Sequence, residues 1–352
     1  MASWTESQII EDIQVVFPTR DDLVSRGIGD DCAVMRQSHD LVTTDASIEN
    51  VHFRLDWMTP ADAAYRCLTS NISDIAAMGG QPGPFTLALG LPKSMPFDDV
   101  HGIITALRTC IEDHDLSHCW LIGGDVVRSQ TLMFSITMFG SCPGYAPVMR
   151  NGARPGDDIL VLGSPGLSHI GLSILARASD NACVPGANQT NARRDCTSQI
   201  TADQAFNIFL QAFRRPIALP SIATEIARQA LATAMMDLSD GIRTDLPRLL
   251  AQSGCGARVD IDALVPTAEM REAAASCGLD PVSAMLCGGE DFGLLLTSPP
   301  QHSDAIRHLA LHFGTPCRKI GKCTRASLEW FESGLPSDRK DTSFTHFGER
   351  NT

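Results

Sequence analysis

The stretch TPADAAYRCLTSNISDIAAMGG (59–80), followed by QPGPFTLALGL (81–91), decides the class of fold. Thr59, Pro60 and Asp62 open a helix, because Pro suits the first helical position and a hydroxyl before it caps a free N–H. Gly79-Gly80 closes the helix, so the spacing predicts a helix over 60–78 with Ala64, Cys67, Leu68 and Ile75 on its inner face. The apolar run PFTLALGL (84–91) then reads as a strand. A helix feeding directly into a strand is the unit of an α+β chain.

Working outward, the same alternation recurs on both sides. Upstream, Ser3 and Glu6 stand at capping-box spacing ahead of Ile9, Ile10, Ile13 and Val16, which reads as an amphipathic helix. Short strands at 32–35 and 41–44 follow. Downstream come a helix over 97–113 and strands at 119–123 and 131–140. The Pro/Gly cluster CPGYAP (142–147) and then RNGARPGDDILVLG (150–163) mark a junction, which places a domain boundary near 148. The second half continues with helices near 167–178, 203–213 and 221–232, strand TAMMDL (233–238) and a helix from about 240. Strands ARVDI (257–261) and FGLLLT (292–297) and a final helix–strand pair complete it. Residues 179–200 are polar and read as an exposed insertion.

Composition narrows the function classes. The 352 residues carry a net charge of −13, from 28 Lys+Arg against 41 Asp+Glu, which disfavours non-specific binding to nucleic acid or to an anionic membrane surface. There is no basic and apolar leader and no long uncharged apolar run, so the expected location is the cytoplasm. Twelve cysteines are scattered without a C-x-x-C pair, and Cys67, Cys110 and Cys287 sit in apolar surroundings, so they read as reduced core residues.

Asp recurs beside Gly or Ser at five places read as element ends: GIGDD (27–31), TTD (43–45), SD (73–74), GGD (123–125) and DLSDG (237–241). Each alone could be a turn residue bonding its own backbone. Together they offer the oxygen ligands that Mg²⁺ takes from carboxylates plus substrate phosphates. Asp74 lies within an apolar helix, where an unpaired carboxylate is costly, so it needs a cation, a donor or water. Asp157 and Asp158 follow Pro-Gly and read as turn residues. There is no G-x-x-x-x-G-K-[ST] loop, no G-x-G-x-x-G, no H-E-x-x-H and no G-x-S-x-G, so any use of ATP runs on another fold.

GIGDDCAVM, VTTDASIENVHF, NISDIAAMGG, LIGGDVVRS, RNGARPGDDILVLG, MMDLSDGIRTDL and CGGEDFGLL stand in order over most of the chain. In this the chain resembles the thiamine-phosphate kinases, of the superfamily that contains aminoimidazole ribonucleotide synthetase and selenophosphate synthetase. The resemblance implies an α+β, two-domain aminoimidazole ribonucleotide synthetase-like fold. Its N-terminal domain (1–148) would bind ATP and Mg²⁺ and form a homodimer through its sheet; its C-terminal α/β domain (149–352) would carry the insertion. It implies direct transfer of the ATP γ-phosphoryl group to thiamine phosphate, without a phosphoenzyme. It further implies several Mg²⁺ ions at Asp30, Thr43, Thr44, Asp45, Asp74, Asp125, Asp237 and Asp240, and ATP near Gly124, Asp125, Arg150 and Ser239. Thiamine phosphate is expected near His52 and Glu290, with Phe344 as a stacking residue.

Other readings exist for single residues: His52 as a satisfied histidine at a strand edge, Glu290 as a turn cap, Arg150 as an ordinary boundary arginine. Three places depart from the family pattern: Phe292-Gly293 after GGED, the tail SFTHF (343–347), and FRRPIALP (213–220). The rival functions are another ATP-using member of the superfamily and a catalytically silent nucleotide- or thiamine diphosphate-binding paralogue. No cysteine precedes GIGDD and the sequence ends GERNT, so neither selenophosphate synthetase, which uses a reactive N-terminal Cys, nor the hydrogenase-maturation relative, which uses a C-terminal Cys, is the expected reading.

Overall fold

Helix α1 (Pro60–Ala77) forms as its caps dictate: the Thr59 hydroxyl accepts from Asp62 N at 3.1 Å, and Asp62 reaches back to Thr59 N at 3.2 Å. A box of this kind is worth about 1 kcal/mol. At its other end Gly79 (φ +71°) turns the chain where a Cβ would lie 2.3 Å from Ala227 Cβ, so only glycine allows the close approach. The computed structural model describes residues 24–26, 30–35, 40–181, 206–337 and 339. The amphipathic segment near residues 3–16, most of the polar segment 179–200 and Phe344 lie outside them.

Two sheets organise the chain. The first contains β1 (Val24–Arg26), β2 (Ala33–Met35), β3 (Asp40–Ile48), β4 (Gln81–Pro92), β5 (Leu121–Ser129) and β6 (Met133–Ser141), in the order β1-β2-β3-β6-β4-β5. Neighbours are antiparallel except β4 and β5. Helix α1 and helix α2 (Phe97–Asp113) supply the helical layer.

The second sheet has the order β13-β12-β9-β11-β7-β10-β8. Its strands are β7 (Asp158–Leu162), β8 (Ala234–Asp237), β9 (Gly256–Asp260), β10 (Leu294–Ser298), β11 (Cys317–Thr324), β12 (Glu329–Glu332) and β13 (Leu335–Pro336). β7, β8 and β10 are buried at every residue, which fits their apolar stretches ILVL, AMM and LLL. The surrounding helices are α3 (Leu167–Asn181), α4 (Asn207–Arg214), α5 (Pro220–Arg228), α6 (Ile242–Ser253), α7 (Ala268–Ser276), α8 (Pro281–Cys287) and α9 (Ser303–His312). This is the expected α+β architecture. Cys67, Cys110 and Cys287 are buried free thiols.

One apolar core runs through both halves, from Phe134 and Ile136 to Met236 and Leu238. Polar bonds stitch the halves together. The last carbonyls of the α1 turn are met by Tyr145 (to Gly79 O, 3.1 Å), Thr224 (to Gly80 O, 3.2 Å) and Val148 N (to Met78 O, 3.0 Å). The FRRPIALP segment lies against the N-terminal half: Arg214 Nε donates to Trp57 O (2.9 Å), Arg215 Nε to Asp62 (2.6 Å) and Ala218 N to His114 Nε2 (3.0 Å).

Two expectations are corrected. GGD (123–125) and TTD (43–45) do not end strands; β5 runs through the first to Ser129 and β3 through the second to Ile48. The glycines mislead because Gly124 serves packing, a Cβ there falling 1.9 Å from Leu87 O on the paired strand. Helices α7 and α8 are additional to the expected elements. Their caps are in the sequence: the Thr267 hydroxyl accepts from Met270 N at 3.2 Å, and Asp280, before Pro281, accepts from Ser283 N at 2.7 Å.

Candidate active site

Carboxylates converge where α1 meets β3 and β8. Thr43 points inward from β3 and donates to Asp74 Oδ2 at 2.5 Å. Ser73, next along α1, donates to Asp237 Oδ2 at 2.9 Å, at the end of β8. Asp31 enters from the turn before β2. Carboxylate oxygens of Asp31, Asp74 and Asp237 all lie within 4.8 Å of one another.

Three carboxylates this close repel strongly, and burial removes the water that would screen them. The carboxyl of Asp74 is therefore pushed well above the usual range, by burial and then by Asp45, Asp237 and Asp31. That of Asp237 is pushed up by burial, Asp31 and Asp245, against the Ser73 hydrogen bond and Arg150. Asp45, on the same face of β3 as Thr43, is raised by burial, while Ser70 and His52 pull the other way.

Arg150 is the cation beside the cluster. Its Nε donates to Asp31 Oδ2 at 2.8 Å, a second nitrogen to Asp31 Oδ1, and its backbone N to Asp30 Oδ2 at 3.3 Å. Burial works against its charge, but Asp31, Asp237 and Asp30 together hold it cationic. The planar fork of a guanidinium suits a phosphate as well as a carboxylate.

The structure brings Asp74 and Asp237 together with Thr43, and sets Asp45 nearby. Asp30 contacts Arg150. Thr44 faces the opposite side of β3 and bonds Ile136 O (3.0 Å) and Thr137 (3.1 Å). Asp240 pairs with Arg248, and Asp125 lies exposed on β5, accepting from Val126 N at 2.9 Å. Asp31 was missing from the expected ligand set although it stands in the same Gly-Asp-Asp turn as Asp30. The doubled Asp was the available signal. A wholly oxygen donor set that raises its own proton affinity fits a hard divalent cation such as Mg²⁺.

Two interlocking turns join GGEDF to DLSDG. Glu290 N donates to Ser239 O at 2.8 Å and Phe292 N to Leu238 O at 3.1 Å, locking GGEDF onto DLSDG. Gly289 is required there, since a Cβ would fall 2.4 Å from Ser239 O. Asp291 accepts from Gly166 N (2.6 Å) and Ser168 N (2.9 Å), fixing the turn to the start of α3; burial lifts its carboxyl to about 7. Glu290 forms an ion pair with Arg66 of α1. His52 Nδ1 accepts from Ile48 N at 3.1 Å, so any proton on the neutral ring sits on Nε2.

Residues 29–142 match the model of the AIR synthase related protein N-terminal domain, and 154–329 that of the C-terminal domain. Among curated proteins, the thiamine-monophosphate kinase of Salmonella typhimurium is 33% identical over 334 residues, 92% of each chain. The crystal structure of thiamine-monophosphate kinase from Stenotrophomonas maltophilia superposes with a TM-score of 0.71 at 28% identity, covering 96% of this chain and 99% of that one. A structure described as AaThiL complexed with AMPPCP and TMP superposes with a TM-score of 0.78 at 24% identity, covering 97% of both, and likens the fold.

Proposed function

The chain belongs to the thiamine-monophosphate kinase family, within the AIR synthase related proteins, and from that premise we propose that it transfers the γ-phosphoryl group of ATP to thiamine phosphate in one in-line step. The convergence of Asp31, Asp74 and Asp237 from both halves of the chain, with Arg150 beside them, carries this reading. A terminal phosphate oxygen of thiamine phosphate forms the new bond to γ-phosphorus as the bond to the β–γ bridging oxygen breaks, giving thiamine diphosphate and ADP. The acceptor is already anionic, so no strong base is needed; the difficulty is holding two anions in line.

Mg²⁺ held by Asp31, Asp74 and Asp237 would supply charge neutralisation for the phosphates. Thr43 and Ser73 orient two of those carboxylates. Arg150 offers a guanidinium that can pass from Asp31 to a phosphate, and Glu290 offers an acceptor for the amino group of the pyrimidine ring.

The N-terminal sheet supports a homodimer. β5 is an edge strand whose Leu121, Ile122, Val126 and Val127 are exposed, and pairing with a second copy would cover such an edge. Gly124 and Asp125 lie on this strand, so nucleotide contacts at these residues would form beside that interface. No helix among the described residues is long and apolar enough to cross a membrane.

The test is formation of ADP and thiamine diphosphate from ATP, thiamine phosphate and Mg²⁺. Stoichiometric products that require both the phosphorylated acceptor and the metal are expected. Nucleotide binding without turnover would point instead to a silent binding protein.

A further inference from the structure

We propose that Arg66 is a positioning residue for the thiamine phosphate acceptor site, holding the Glu290 carboxylate in place and aimed outward; this rests on the reading of Glu290 given above. The pair is asymmetric. The Arg66 side chain is 7% exposed and that of Glu290 43%, so the cation stands behind the carboxylate and the carboxylate forms the open side. Arg66 meets Oε2, and Oε1 has no hydrogen-bond partner among the described residues. One oxygen is anchored and the other is available to accept from a ligand.

Two further observations show that Arg66 is itself fixed. A second guanidinium nitrogen donates to Phe213 O, and the guanidinium carbon lies 4.5 Å from the centre of the Phe213 ring. Arg66 thus rests on FRRPIALP, the segment that departs from the family pattern. Glu290 also needs an anchor, because its backbone adopts φ +62°, a region that side-chain-bearing residues enter only when neighbours over-determine it. Its N–H is held by Ser239 O and its carboxylate by Arg66. A carboxylate anchored through one oxygen by a buried guanidinium has a fixed direction, and its second oxygen remains an acceptor for a ligand.

The test is a mutant cycle on the full-length protein, with R66M, R66K, E290Q and R66M/E290Q assayed by steady-state kinetics for both substrates and by thermal melting. R66M is expected to raise KM for thiamine phosphate about tenfold or more while KM for ATP and kcat change less than about threefold. R66K should recover part of the loss. In the E290Q background, R66M should add little, because its effect passes through Glu290. Full additivity of the two KM effects, or equal losses for ATP and thiamine phosphate, would overturn the proposal. If R66M does not fold, R66K and E290Q still decide it: KM for thiamine phosphate unchanged in R66K and E290Q alike refutes it. Wild-type protein that cannot phosphorylate thiamine phosphate would remove the reading of the site and this role with it. Turnover by wild type with additive losses would remove this role alone.

Discussion

Asp237→Asn separates the cost of the acidic cluster from its use. Asp237 is 2% exposed and its Oδ2 accepts from Ser73; an Asn of the same shape can keep that bond and turn its NH₂ toward the neighbouring carboxylates. Two unit charges within 4.8 Å repel by about 3 kcal/mol or more at an effective dielectric constant of about 20. Three such pairs approach about 10 kcal/mol, comparable to the stability of a whole domain. The metal-free protein escapes this by keeping protons on the cluster, because burial and then the neighbouring carboxylates raise the proton affinity of Asp74 and Asp237. The folded state then binds more protons than the unfolded one, so the stability of the metal-free protein declines as pH rises above the ordinary carboxyl value near 4.

Removing one carboxylate should therefore stabilise the metal-free protein at pH 8 by about 2 kcal/mol, a rise in Tm of about 3 °C for a chain of 352 residues. The gap should shrink toward pH 5, where the wild-type cluster carries its protons. In Mg²⁺ the order reverses: wild type gains stability on binding, and the variant loses turnover by about 100-fold or more. Differential scanning calorimetry in EDTA and in Mg²⁺, at pH 5 and pH 8, reads both signs. A variant that melts below wild type in EDTA at pH 8, or turns over normally at limiting Mg²⁺, would refute this account.

Val126→Lys places a charge on the β5 edge at a residue 67% exposed, and should convert a dimer to monomers in sedimentation velocity while leaving the circular dichroism spectrum unchanged. His114 is buried between Cys110 O (2.7 Å, to Nδ1) and Ala218 N (3.0 Å, to Nε2), and burial lowers its pKa. The unfolded state then takes up the proton first, so His114 removes stability as pH falls below about 6.5. Urea titrations at pH 7 and 5.5 should show a steeper loss for wild type than for His114→Gln. Gly79→Ala meets both a left-handed φ and a Cβ contact of 2.3 Å, and should cost about 2–4 kcal/mol by the same titration.

The elements legible in the sequence were those whose ends are chemically marked. α1 and α2 occupy 60–77 and 97–113, where Thr59-Pro60 and the Gly pair bracket the first and apolar periodicity sets the second. α7, AEMREAAAS, was missed because its small residues give little contrast between faces, even though Thr267 caps it. β5 extends past the expected 119–123 because Gly124 does not end it but admits Leu87 O. The acidic residues of the site were visible as types and spacings. Which of Asp30 and Asp31 joins the cluster was not, because adjacent residues differ in direction only once the backbone of the turn is fixed. The Arg66–Glu290 pair joins residues 224 positions apart, and no local pattern carries it.

Helix α1 explains why the two ends of the site stay in register. Ser73 meets Asp237 and Arg66 meets Glu290, and seven residues along an α-helix bring side chains back to one face after a rise of about 10 Å. Asp237 and Glu290 in turn belong to DLSDG and GGEDF, turns at adjoining ends of the paired strands β8 and β10 that are locked by Glu290 N to Ser239 O and Phe292 N to Leu238 O. One helix face of the N-terminal half thus addresses two joined turns of the C-terminal half, at the carboxylate cluster and at Glu290. A shift between the halves would break both contacts together. On the proposed function, the spacing from the carboxylate cluster to Glu290 would be set by helix geometry rather than by loops, as in-line transfer between two positioned phosphates requires.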